Sequence, residues 1–321
     1  MQEAAYEADR LEVIVVDDGS GDETERVVGS ASRGAKFRTT YLRQENRGVA
    51  TARNRGAREA RGDLLLFLDD DILIPPDAII SHVRIHAEVS DCLVNGHWDF
   101  EPGLAAELKS SAFGRFRIEI EEWVKSGIEM KPLQGNRTEP SGVTACNLSL
   151  WKSDFVRIGG FDEEFPFAGA EDQEFSRRAK NVGLRFVYDY DLRFWHNDHR
   201  LTLRQFCERQ RRGAISAALL FLKSPAADRE EPPLIRENRE PRVGDGIGLV
   251  AKKFVKRSLA MKVPLESLHF AVGLGERLGV HESVLRRVYS AICGLYIFTG
   301  IREGLQRFDR RSLSSGHYLE R

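Results

Sequence analysis

The sequence predicts an α/β fold built on a mostly parallel sheet flanked by helices, followed by a helical C-terminal extension. Two apolar runs carry the first expectation: LEVIVV at 11–16 and DLLLFL at 63–68. Neither alternates with polar residues as a half-exposed strand does, so both faces of each strand need covering. Helix-like stretches separate the strands, which suits crossover connections and parallel pairing. The 321 residues suffice for one large α/β domain with an appendage, or for two modest domains.

In order, a strand at 11–16 leads to a helix at 23–32, a strand at 38–42, a helix at 49–60 and the strand at 63–68. Pro75 and Pro76 precede a helix at 77–88, a strand at 92–98 and a long charged helical stretch at 104–125. Residues 131–142, rich in Pro, Gly and Asn, read as a loop. A strand resumes at 144–150. Gly159 and Gly160 then turn the chain into an acidic, aromatic loop and a helix at 174–181. Residues 201–222 read as an amphipathic, arginine-rich helix. Residues 223–246 carry Pro225, Pro232, Pro233 and Pro241 among many charges and read as a linker. The remainder to 308 has helical periodicity only. The expected organisation is a domain at 1–222, a linker at 223–246 and a helical region at 247–321.

Charge and cysteine content exclude several classes. Lys plus Arg (48) balances Asp plus Glu (49), so no global field holds a polyanion and nucleic acid is not an expected partner. Cys92, Cys146, Cys207 and Cys293 show neither zinc nor disulfide-framework spacing, which fits a reducing cytoplasm. The N-terminus is polar and acidic, without a signal-peptide core. The longest apolar run, 288–301, is interrupted by Ser290 and Thr299 and is shorter than the ~20 residues of a membrane span. Lys252, Lys253, Lys256 and Arg257, with that run, suit peripheral contact with an anionic bilayer at the inner face of the membrane. A helical subdomain packed on a catalytic core is the other reading of this region.

The chemistry concentrates at strand ends. In parallel sheets ligands bind at the carboxyl ends of strands, and both acidic clusters fall there: Asp17 and Asp18 after the first strand, and Asp69, Asp70 and Asp71 after the third. Three consecutive aspartates repel one another unless a cation offsets them. A hard divalent ion bridging to a diphosphate does so with one or two carboxylates, which makes Asp71, with Asp69 or Asp70, a candidate metal and ribose site. A helix N-cap with solvated carboxylates is the competing reading. Asp17 and Asp18 precede Gly19 and Ser20, and a carboxylate here can accept from a nucleobase N–H or close an Asx-turn. Between the clusters lies NRGVATARNRG, whose small residues permit close approach to a ligand and whose Arg53 offers a forked donor set to a diphosphate. Tight helix packing with solvated arginines is the alternative.

The ordered set LEVIVVDDGSGDET, ENRGVATARNRGAREARGDLLLFLDDDILIPPDAI and ACNLSLWKSDFVRIGGFDEEFPFAGAEDQEFSRRAKNVGLRFVYD closely resembles the family 2 inverting glycosyltransferases over residues 11–213. The resemblance implies a GT-A type fold and transfer of a sugar from a nucleoside-diphosphate donor, UDP-linked in the first instance, to a saccharide or lipid-linked acceptor. It implies base contacts for Asp17 and Asp18, and a nucleotide pocket lined by Gly48, Ala52, Arg53 and Asn54. The DxD pattern matches Asp69 and Asp71, implying Mg²⁺ or Mn²⁺ at the outer aspartate and ribose contacts for its neighbours, Asp70 among them. Asp172 of the pair with Glu171 matches the general base, and His196 a histidine near the metal and diphosphate. An inverting transfer needs a carboxylate to take the acceptor proton and cations to meet charge on the departing diphosphate; Arg211 and Arg212 are candidates for the second task. An acidic first helical turn is the bland reading of Glu171 and Asp172.

The resemblance lacks the strand and Pro-Thr-Tyr turn with which that family opens. The expectation is that upstream sequence supplies them, or that Val13 to Val16 pair directly with Leu64 to Leu68 in a closed-up sheet. The competing functions are an inactive nucleotide-binding or scaffold remnant and a sugar nucleotidyltransferase, whose N-terminal phosphate loop is absent.

Overall fold

Strand β1 (Glu12–Asp17) and strand β2 (Arg38–Arg43) pair in parallel across helix α1 (Thr24–Ser32), with Asp17 opposite Arg43. This is the crossover that the apolar run and helical spacing require. The computed structural model describes residues 7–126, 128–224 and 231–314. They divide into two units, one reaching Leu104 and including Val124–Asp198, the other comprising Ala105–Trp123 and the chain from His199 onward.

The first unit continues with α2 (Val49–Glu59), β3 (Leu64–Leu68), β4 (Ile72–Leu73), α3 (Ala78–Glu88) and β5 (Cys92–Phe100). Helices α4 (Pro102–Ser110) and α5 (Ala112–Ser126) then pass largely through the second unit. The expected single helix at 104–125 is broken, and the Ser111 hydroxyl accepts from the Gly114 N–H as the cap of α5. The chain returns through β6 (Met130–Pro132), β7 (Arg137–Pro140), β8 (Asn147–Trp151), α6 (Lys152–Ile158), α7 (Glu171–Asn181) and β9 (Arg185–His196).

These strands form a second sheet in the order β3-β8-β5-β9-β7-β6, with β4 also on β9. It is mixed rather than mostly parallel. β5 and β9 run parallel, but β8 lies antiparallel to both β3 and β5, so β3, β5 and β9 share one direction, against which β8, β4 and β7 run. The expected loop at 131–142 falls on the β6–β7 hairpin; Pro132 lies on the edge strand β6, and Pro140 ends β7 beyond its pairing with β9, two places where a missing N–H costs little. The core beneath β3 and β8 is aromatic: Phe155, Phe161 and Phe175 are buried, and the last two stack with centroids 4.4 Å apart. The direct pairing of 13–16 with 64–68 does not occur. Among the described residues β1 pairs only with β2, and β3 only with β8.

The second unit is helical: α8 (Leu203–Lys223), α9 (Pro233–Arg236), α10 (Ile247–Leu259), α11 (Lys262–Arg277) and α12 (Glu282–Ser314), with most of α5. Within 223–246, α9 forms and Ile235, Asn238 and Arg239 are buried, while residues 225–230 lie outside the described residues. α8 and α12 approach so closely that a Cβ on Gly300 would sit 2.3 Å from the Arg211 carbonyl oxygen. α12 is long and apolar enough to cross a membrane by length and composition, yet half of its apolar window is buried in the protein, including Tyr289, Ile292 and Ile301. The four cysteines are free thiols, although Cys207 and Cys293, distant in sequence, bring their sulfurs within 3.1 Å across α8 and α12.

Candidate functional site

β1 ends on Asp17, which is buried. Its carboxylate accepts from the Tyr41 hydroxyl, from the Ser20 N–H at 2.7 Å and from Arg43 at 3.3 Å. The Tyr41 bond above all, then the Ser20 N–H, hold its pKa down at about 2. Asp18 turns the other way. It accepts from Gln44 Nε2 (2.7 Å), from the Arg47 N–H (2.9 Å) and from the Gly48 N–H (2.8 Å), clamping the 44–48 loop to the end of β1. Gly48 sits at φ 93°, a conformation that favours glycine, and starts α2. Both carboxylates expected at a nucleobase therefore also build the loop that would surround one.

α2 carries the predicted pocket residues with different partners. Ala52 is half-buried. The buried Asn54 clasps the turn after α6, its Oδ1 accepting from the Phe161 N–H (2.8 Å) while its Nδ2 donates to the Phe161 carbonyl (2.8 Å) and to Glu163 (2.9 Å). Glu163 also accepts from Thr51 at 3.2 Å. The sequence reading missed Glu163, Tyr41 and Gln44, because each acts by bonding a motif residue that only folding brings near.

Arg53 is the hub. Its Nη2 donates to Asp69 at 2.8 Å, and its Nη1 lies 3.0 Å from Glu171 and 3.5 Å from Asp172. Strand end β3 and the first turn of α7, over a hundred residues apart, thus meet on one guanidinium. Burial alone would lower the Arg53 pKa, but Asp172, Asp69 and Glu171 outweigh it and keep the group charged. Glu171, fully buried, bends back to accept from the Gly169 (2.7 Å) and Ala170 (3.1 Å) N–H groups ahead of its own helix. Asp172 accepts from the Ala145 N–H at 3.1 Å. Desolvation, then the neighbouring Glu171, push the Asp172 pKa up to about 7, against Arg53 and that N–H.

A second pair stands beside this hub in the chain: Asp71 Oδ2 lies 3.2 Å from His196 Nε2, the last residue of β9. The backbone supports both, since the Asn197 N–H donates to the Asp71 carbonyl (2.7 Å) and the Asp69 N–H to the Cys146 carbonyl (3.2 Å). Asp70 is exposed between them. Trp98 packs edge-on to His196 with centroids 5.1 Å apart. Among the described residues no group of three or more His, Cys, Asp or Glu forms a closed metal cage. One carboxylate and one imidazole at the tip of a sheet nevertheless fit a hard divalent ion that takes its other ligands from a diphosphate. Arg211 and Arg212 lie in the second unit on α8, where Arg211 pairs with Glu208 and Glu303, and Arg212 with Glu208 at 3.6 Å.

Residues 2–132 match the model for glycosyl transferase family 2, and residues 129–196 that for the N-terminal domain of galactosyltransferase. The uncharacterized glycosyltransferase YfnE of Bacillus subtilis is 39% identical over 229 residues, covering 60% of this chain and 58% of that protein. The validoxylamine A glucosyltransferase of Streptomyces hygroscopicus subsp. jinggangensis is 32% identical over 194 residues, 54% of this chain and 45% of that protein. The chain spans about half the length of these curated relatives. In fold it resembles the mannosyltransferase PcManGT of Pyrobaculum calidifontis, solved in complex with GDP-Man and Mn²⁺ (TM-score 0.55, 19% identity, 94% of this chain and 80% of that chain). Together with the strand-end aspartates, the Arg53 hub and a GT-A type α/β fold, these matches assign the sequence over residues 2–132 to glycosyl transferase family 2.

Proposed function

We propose that the chain is an inverting glycosyltransferase that moves a sugar from a nucleoside-diphosphate donor, UDP-linked in the first instance, to a saccharide or lipid-linked acceptor with Mg²⁺ or Mn²⁺. One observation carries the reading: Arg53 joins the aspartates ending β3 to the acidic pair opening α7. A donor-handling group and a proton acceptor are thereby held in one cluster.

In this reading Asp172 is the general base. A carboxyl titrating at about 7 takes a proton from an acceptor hydroxyl near neutrality far better than one at the ordinary carboxylate value. Ala145 and Arg53 orient it, leaving an oxygen's remaining lone pairs for the hydroxyl. Glu171, locked by the Gly169 and Ala170 N–H groups, raises the Asp172 pKa and is the positioning partner. Asp71 and His196 would hold the metal, with Asp69 and Asp70 toward the ribose. The metal supplies neutralisation of charge on the leaving diphosphate. Asp17 and Asp18 frame the base pocket together with Gly48 and Ala52. Arg211 and Arg212, paired with glutamates within the helical unit, carry no role in this reading.

The test is Asp172→Asn. Donor binding should be retained, while sugar transfer, or donor hydrolysis with water as acceptor, falls by roughly 10²- to 10⁴-fold, the range of a general base. Turnover within a few-fold of the unaltered protein would move the base elsewhere.

A further inference from the structure

Helix α10 is built inside out, and α11, whose Val272, Leu265 and Leu268 pack into the core, exposes a second apolar face on its other side. On α10, Ile247, Phe254 and Val255 share one face with Ala251 and Ser258, the i, i+4, i+7, i+8 spacing that a surface helix ordinarily turns to its core. Here that face looks outward, with Ile247 91% and Phe254 57% exposed. Two of the helix's four cations face inward, Lys253, buried and donating to Asp245 at 2.7 Å, and Lys256, donating to Asn238 at 2.7 Å, while Lys252 and Arg257 stay exposed. On α11, Val263, Phe270 and Leu274 repeat the pattern, with Phe270 74% exposed. Two consecutive helices with exposed apolar faces exceed the scattered single residues that need no explanation.

Charge selects the partner. Residues 231–287, which include the acidic partners of these helices, hold eleven Lys and Arg against seven Asp and Glu, in a chain whose net charge is −1. A second copy would bring the same positive surface against itself. A negatively charged lipid surface complements both the cationic excess and the protruding apolar side chains.

We propose that the α10–α11 face docks on an anionic bilayer, lying in its surface with Phe254 and Phe270 inserted. This relocates the membrane contact expected of the 288–301 run: those residues of α12 are largely core, and the helices before it carry the exposed apolar face. The proposal stands on this surface alone and does not depend on the catalytic reading.

Flotation of the full chain with phosphatidylcholine vesicles, with and without phosphatidylglycerol, is the test. Binding is expected only with phosphatidylglycerol, weakening at high salt. Phe254→Asp with Phe270→Asp should cut partitioning by at least about 100-fold, and Lys252→Glu with Arg257→Glu by at least about tenfold, with melting temperatures unchanged. If the aspartate variant melts early, the lipid and salt dependence of the unaltered protein still decides. Absence of binding to phosphatidylglycerol vesicles at low salt, equal binding to neutral vesicles, or binding indifferent to these substitutions would each overturn the proposal. So would a dimer that the substitutions dissolve without any vesicle binding, which would assign the face to a second copy.

Discussion

Arg53 touches three carboxylates, and its removal exposes what each contributes. Arg53→Gln leaves Asp69, Glu171 and Asp172 without their shared counter-charge, and should cost about 3 to 5 kcal/mol, as breaking a buried ion pair does. Its second effect is on pH. As the proposed base, Asp172 would act when ionised, so kcat/KM for transfer should rise with pH through its pKa of about 7. Arg53 pulls that pKa down, so the variant's rising limb should move to higher pH, while Arg53→Lys should restore part of the shift. An unmoved limb in a folded Arg53→Gln protein would detach Asp172 from the pH profile. The sequence marked Arg53, Asp172 and Asp69 individually and gave Arg53 a diphosphate as partner. It could not reveal their mutual contact, because nothing in spacing along a chain encodes a bond across 118 residues.

Elements were legible where one signal dominated. The apolar runs of β1 and β3 and the periodic helices were readable because period and composition agreed. β9 was missed because Asp189, Tyr190 and Asp191 interrupt its apolar character, and Asp189 is tolerated there because Arg137 pairs with it at 2.7 Å and the Asp191 N–H donates to it at 2.8 Å. Strand order was illegible for another reason: the insertion of β8 between β3 and β5 is set by packing across the sheet. The start of α2 depends on a single side chain. Asp18→Ala removes the acceptor for the Arg47 and Gly48 N–H groups and should destabilise the protein by about 1 to 3 kcal/mol. If the 44–48 loop surrounds the base, nucleotide affinity should fall with stability. Thermal melting with and without UDP separates the two effects, and an Asp18→Ala protein with unchanged melting and affinity would show the clamp to be idle.

Across the whole molecule, acid should be the sharpest stress. Buried His82 and His86 share the Ser149 hydroxyl at 2.7 and 2.8 Å. Burial lowers their pKa values to about 3 and about 4. Both lie below the unfolded value of about 6.5, so between roughly pH 6.5 and 4 the unfolded chain binds more protons and stability falls as pH falls. Two such groups give a slope of at most about 2.7 kcal/mol per pH unit. Urea midpoints from pH 7 to 4.5 should track this, and His82→Leu with His86→Met should flatten it; an equal slope in that variant would lay acid sensitivity on the carboxylates.

The central claim is that the strand-end aspartates and the Arg53 hub form a metal-dependent nucleotide-sugar site. Calorimetric titration of UDP, with and without Mn²⁺, into the unaltered protein and Asp71→Ala tests it most directly. The account predicts binding that requires Mn²⁺ and disappears in Asp71→Ala while the melting temperature holds or rises, since one like charge leaves an acidic cluster. Binding that ignores the metal, or Mn²⁺–UDP affinity unchanged in Asp71→Ala, would contradict it.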